Sequence, residues 1–212
     1  MRMKGISGRA MRELASVNCA FVGVATMGEI KNCSQLRFGL EEETVGRLRL
    51  LDEAARRRLG YRPFSLFTLR FQDVPAWDAV LERRVRDGDP VFAWPDNGSR
   101  LHQFLLMALA AFRELAEREP LSASVLFGAP PALVTQMTRV DISALPGIAK
   151  TVKPWLSARC ATERDWWRWM ILKSCVETDE CPDRHRGVHA SLMRALNLDK
   201  ARLRGGRLCR RI

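Results

Sequence analysis

Leu36-Arg37-Phe38-Gly39-Leu40, followed by Glu41-Glu42-Glu43, returns 89 residues later as Val125-Leu126-Phe127-Gly128-Ala129, followed by Pro130-Pro131. Apolar positions recur with it: Val45, Leu48 and Leu51 after the first stretch, Val134, Met137 and Val140 after the second. The same offset pairs Asp52 with Asp141 and Trp77 with Trp166. A Phe-Gly pair repeated together with its flanking pattern predicts a duplicated unit. Each unit is led by an apolar helical stretch, Val17 to Ile30 in the first and Leu101 to Leu115 in the second, once a four-residue difference in the loop is allowed for.

The physics of the unit follows from residue type. Glycine at the Phe-Gly corner can take the left-handed conformation that ends a helix. The next helix opens on acids in one unit and prolines in the other, and both suit a first turn. Val45, Leu48 and Leu51 give that helix one buried face. Phe64 to Phe71 has the alternation and aromatic content of a short strand or extended segment, and a helix follows from Val74 to Arg86 with Pro75 in its first turn. Breakers crowd Asp87-Gly88-Asp89-Pro90 through Trp94-Pro95-Asp96-Asn97-Gly98-Ser99, the expected linker. The second unit ends in an aromatic helix, Glu163 to Leu172. A basic helix is expected from about His185 to Leu196, ahead of the Gly205-Gly206 break. The expected organisation is a mainly α chain: a first unit over 1–86, a linker over 87–100, a second unit over 101–174 and a basic extension over 175–212.

Charge is uneven along the 212 residues, whose formal net charge is +11. Residues 182–212 hold nine Lys/Arg against Asp183 and Asp199, so most of the excess is C-terminal. Arginine concentrated without acids suits a polyanion, because phosphate contacts release condensed counterions. Lys200, Arg202, Arg204, Arg207, Arg210 and Arg211 are therefore the candidate phosphate contacts; the competing readings are a solvated tail and an anionic membrane surface, the latter without the bulky aromatic face such helices usually carry. No apolar run reaches the roughly 20 residues of a membrane span, and no secretory cleavage site is convincing, which makes the cytoplasm the expected compartment. The six widely spaced cysteines read as reduced thiols rather than a disulfide framework.

The first unit resembles the FlhD-type flagellar transcriptional activators along most of residues 14–84. The resemblance rests on Asn18-Cys19-Ala20-Phe21, Leu36 to Glu43, Leu69-Arg70-Phe71-Gln72-Asp73 and Trp77. Residues 102–172 are similar more weakly, through Leu126-Phe127-Gly128 and Ser143 to Lys150. It implies an all-helical, intertwined dimer fold and a role in transcription activation, usually with an FlhC-like protein partner. The family's inter-subunit cysteine falls near Phe67, so that disulfide is not expected here. A family member is one unit, whereas this chain carries two, which would imitate the dimer within one polypeptide.

Catalytic signatures are absent: there is no nucleophile elbow, phosphate loop, dinucleotide fingerprint or His-Glu-x-x-His, and no enzyme activity or cofactor is expected. Cys175, Cys181, His185 and His189 could supply tetrahedral zinc, but five residues between the cysteines is wider than the usual knuckle. Free thiols and solvent-facing histidines are the simpler reading, and no metal site is assigned. Trp166, Trp167 and Trp169 are expected at a protein interface or in the core, with base stacking the lesser alternative. The sequence thus favours a DNA-binding regulator with a protein partner or self-association; the alternative is an interaction adaptor that binds no nucleic acid.

Overall fold

The computed structural model describes residues 6–27, 38–87 and 99–176. These fold into nine α-helices: α1 (Gly8–Thr26), α2 (Glu42–Arg49), α3 (Glu53–Gly60), α4 (Val74–Asp87), α5 (Arg100–Arg118), α6 (Pro120–Phe127), α7 (Pro131–Met137), α8 (Leu145–Val152) and α9 (Arg164–Val176). Two-residue strands β1 (Phe67–Thr68) and β2 (Ser157–Ala158) pair antiparallel, with Phe67 opposite Ala158 and Thr68 opposite Ser157. The chain is mainly helical, as expected, and no helix among the described residues is long and apolar enough to cross a membrane.

Local chemistry sets the helix ends. Ser7 caps α1 by accepting from Ala10 N, Ser99 caps α5 by accepting from His102 N, and Asp52 caps α3 by accepting from Ala55 N. Glu42 and Glu43 occupy the first turn of α2, and Pro131 opens α7. Both corner glycines are left-handed, Gly39 at φ 78° and Gly128 at φ 67°. The helix expected from Val17 starts nine residues earlier, because Ala10 and Leu14 continue the buried face of Val17 and Phe21 into a charged first half. The second lead helix likewise runs three residues past Leu115 before Glu119-Pro120 breaks it and α6 begins.

Of the two forms expected for Phe64 to Phe71, a strand is limited to Phe67–Thr68, and the rest has no regular ladder. Phe64, Ser65, Leu66, Phe67, Leu69 and Phe71 are all buried, so the segment threads the core rather than alternating between core and water. Its backbone is satisfied by Leu126 O, which accepts from Ser65 N, and by Asn18 Oδ1, which accepts from Leu66 N. The linker expected over 87–100 and the basic helix after His185 lie outside the described residues, apart from Asp87 in α4 and Ser99-Arg100 at the start of α5.

One hydrophobic core joins all of these elements. Phe67 and Phe104 meet edge to face at 5.0 Å, and Phe112 and Phe127 lie 4.9 Å apart. At the centre α1 packs on α5. Around them α1 packs on α2 and α3, and α5 packs on α7 and α8. The later helices cross over: α4 packs on α7 and α8, and α9 packs on α2 and α3. Trp77 Nε1 donates to Leu69 O, and Trp167 Nε1 donates to Arg159 O. Trp167 thus has a backbone partner like that of Trp77, whereas the sequence offset of 89 pairs Trp77 with Trp166.

Candidate nucleic-acid interface

Most arginines of the folded body are already committed. Arg9 and Arg118 bridge Glu13 and Glu114 in a four-charge network between α1 and α5, at 2.7 to 3.1 Å. Partial burial pushes the Glu13 carboxyl up, but hydrogen bonds and charge from Arg118 and Arg9 outweigh it and hold the group below its ordinary value. Ser7 Oγ donates to Glu119 at 2.5 Å and Ser122 Oγ at 2.9 Å, which holds that carboxyl low as well.

The basic run Arg56-Arg57-Arg58 on α3 is similarly engaged. Arg56 Nη2 donates to Arg49 O, Arg57 pairs with Glu53 at 3.3 Å, and Arg58 Nε donates to Ser174 O at 2.7 Å. Arg58 therefore ties α3 to α9 instead of facing an open surface. Arg164 pairs with Glu41 and fastens the start of α9 to α2.

Arg12, Arg70, Arg100, Arg139, Lys150, Lys153 and Arg168 are exposed and form no ion pair among the described residues. Lys150 and Lys153 stand together at the end of α8, next to exposed Pro154 and half-buried Trp155. The only acid between 139 and 153, Asp141, accepts from Ser143 N and caps its own turn. Arg139, Lys150 and Lys153 were passed over in the sequence because single cations in a short turn leave no periodic signature. The predicted phosphate contacts Lys200, Arg202, Arg204, Arg207, Arg210 and Arg211 lie outside the described residues.

The tryptophans divide. Trp167 is fully buried and Trp166 is 5% exposed, the latter packed against Phe64 and Trp167. Both rings belong to the chain's own core, where α9 meets α3, and neither presents a face to a second protein. Trp169 is half-buried, with Lys173 Nζ 5.0 Å from its ring centre. Trp169 packs against the edge of the core, and sequence reasoning, which grouped the three by proximity, missed the exposed Leu172 and Val176 on the same helix. Cys175 is exposed near the end of α9, while Cys181, His185 and His189 lie outside the described residues. No family model, curated protein or solved structure matches the chain.

Proposed function

We propose that the chain is a transcriptional regulator of the FlhD type that binds DNA, directly or in complex with a protein partner. Its two tandem units fold together as an intertwined pseudo-dimer within one polypeptide. The crossing of α4 and α9 carries this reading: each closes on the helices of the opposite unit. That is the arrangement the FlhD resemblance implies for two chains.

The β1–β2 pairing supports it further. With an offset of 90, Phe67 corresponds to Ser157 and Thr68 to Ala158, yet Phe67 faces Ala158 and Thr68 faces Ser157. Position one of each strand therefore meets position two of the other, the reciprocal contact of a two-fold interface. Repetition of the indole hydrogen bond at Trp77 and Trp167 supports the same duplication.

DNA contact is assigned to the basic C-terminal extension, with Arg139, Lys150 and Lys153 adding cations from the folded body. Phosphate contacts position a protein without reading sequence, so operator choice belongs to the partner or to further residues. The test is binding to random duplex DNA at several salt concentrations, comparing the full chain with one ending at Asn197. Affinity should fall with salt at a slope of about −0.9 per phosphate contacted, and the shorter chain should show a shallower slope. Binding by neither form removes direct contact and leaves a regulator that reaches DNA only through its partner.

A further inference from the structure

The two ends of the β1–β2 pairing differ in what surrounds them. Phe67 lies opposite Ala158 and Thr68 opposite Ser157. In one direction the register continues to Leu66, whose O accepts from Arg159 N at 2.9 Å, and Ser65, Leu66, Arg159 and Cys160 are all buried there. In the other direction the same register, carried two residues further, puts Arg70 level with Trp155. Trp77 ties these two positions together: its Nε1 donates to Leu69 O, and its ring meets that of Trp155 edge to face at 5.6 Å. Lys153 opens the short turn that holds Trp155, and Lys150 stands in the last turn of α8 just before it. One end of the pairing thus gathers cations from two distant stretches of chain.

We propose that this end is a docking face for the phosphate backbone of duplex DNA, with Arg70, Lys150 and Lys153 as its contacts. All three are exposed, and none forms an ion pair or a side-chain hydrogen bond among the described residues. The acids of α4 and its lead-in are already used: Asp73 accepts from Ala76 N, Asp78 accepts from Gln136, and Glu82 is engaged as well. The backbone at Arg70 points the same way. Its φ is 54°, in the left-handed region that favours glycine, and Asp73 N donates to Arg70 O across the turn. The turn needs no arginine, so the side chain answers to something outside the fold.

Chemistry selects the partner. Cations that position a nucleic acid on its phosphates need no apolar cover. The centre of a protein interface, by contrast, is built from large apolar and aromatic side chains, and a membrane-surface site from an apolar face. None of the exposed large apolar side chains falls in residues 68–73 or 150–157, and Trp155 is half-buried against the core. A face of charge without exposed apolar bulk fits a polyanion. It rests on the DNA binding proposed above, and it joins Arg70 to Lys150 and Lys153 in one contact on the folded body.

Fluorescence anisotropy with a random-sequence duplex, read on the full chain over a series of salt concentrations, tests this face. Arg70→Gln, Lys150→Gln and Lys153→Gln together should weaken binding at least about tenfold, and should make the slope of log affinity against log salt shallower by about 0.9 per lost contact. A control triple, Arg12→Gln, Arg100→Gln and Arg168→Gln, removes the same charge from other helices and should keep a slope close to the parent's. Arg70→Gly, which suits the left-handed backbone, should weaken binding with no fall in the thermal midpoint. Equal losses in the two triples overturn the proposal and assign the effect to net charge. A first triple that binds like the parent overturns it too, and leaves DNA contact to the C-terminal extension. A parent chain that binds no DNA overturns both this face and the function it rests on.

Discussion

Trp77 and Trp167 make the same hydrogen bond at two places in the chain: each indole N–H donates to the carbonyl eight residues upstream, Leu69 O at 3.1 Å and Arg159 O at 2.9 Å. Between carbonyl and ring the chain reverses through a residue with positive φ, Arg70 at 54° and Cys160 at 52°, and then enters α4 or α9. The bond holds each crossing helix to the turn that launches it.

Replacing either ring with phenylalanine keeps an aromatic group but strands a buried carbonyl. Trp77→Phe and Trp167→Phe should each lower stability by about 1–3 kcal/mol in urea unfolding, and by similar amounts. A Trp167→Phe chain as stable as the parent would mean that the bond does not support α9.

Gly60 of α3 lies close against α1. A Cβ there would fall inside contact distance of Cys19 Sγ and 3.0 Å from Ala15 O. Gly60→Ala should therefore cost about 1–3 kcal/mol. Cys19→Ala removes the thiol but not the carbonyl, so the double variant should recover part of the loss and no more. A double-mutant cycle measures the coupling, and zero coupling would place the strain on the carbonyl alone.

Much of this architecture could be read from residue type. Pro75 and the apolar period placed α4 to within a residue, and the Phe-Gly corners declared their left-handed glycines. Which of the adjacent Trp166 and Trp167 takes a backbone partner as Trp77 does could not be read, since the short turns Ile142–Ala144 and Lys153–Trp155 around α8 carry no hydrophobic period. With Trp166 and Trp167 adjacent, only the hydrogen bond to Arg159 O distinguishes them. The crossing of α4 and α9 was equally hidden, since an apolar face says that a helix is buried but not against what. At the candidate interface the basic excess was plain from composition. Its division into committed and free cations depends on partners distant in sequence, as when Arg58 reaches Ser174 O.

Asn18 is a fully buried polar clamp between α1 and the segment that threads the core. Its Nδ2 donates to Gly60 O and Phe64 O, each at 3.0 Å, and its Oδ1 accepts from Leu66 N at 2.9 Å. Asn18→Leu preserves size yet leaves two carbonyls and one N–H unpaired. Stability should fall by about 3 kcal/mol or more, at the upper end for a single change. Thermal and urea unfolding read it directly, and a loss under about 1 kcal/mol would contradict the clamp.

Acid should loosen the contact between the N-terminal turn of α1 and the end of α5 before it reaches the core. Hydrogen bonds from Ser7 and Ser122 lower the Glu119 carboxyl, and Arg118 and Arg9 lower Glu13 against the opposing effect of its burial, both relative to an ordinary value of 4.5. A carboxyl whose folded pKa is depressed contributes stability above its unfolded pKa and loses that contribution as pH falls through the folded pKa. Stability should thus be level near neutrality, start to fall at about pH 4.5 and continue falling below it. Both groups are partly open to solvent, whose screening keeps the loss from each small. Urea midpoints taken from about pH 7 to about pH 3 follow it. Glu13→Gln and Glu119→Gln should each lower the midpoint at neutral pH and flatten the acid limb. An acid limb as steep in both variants as in the parent would place the titration elsewhere, with Asp141 and its Ser143 hydrogen bonds the next group to test.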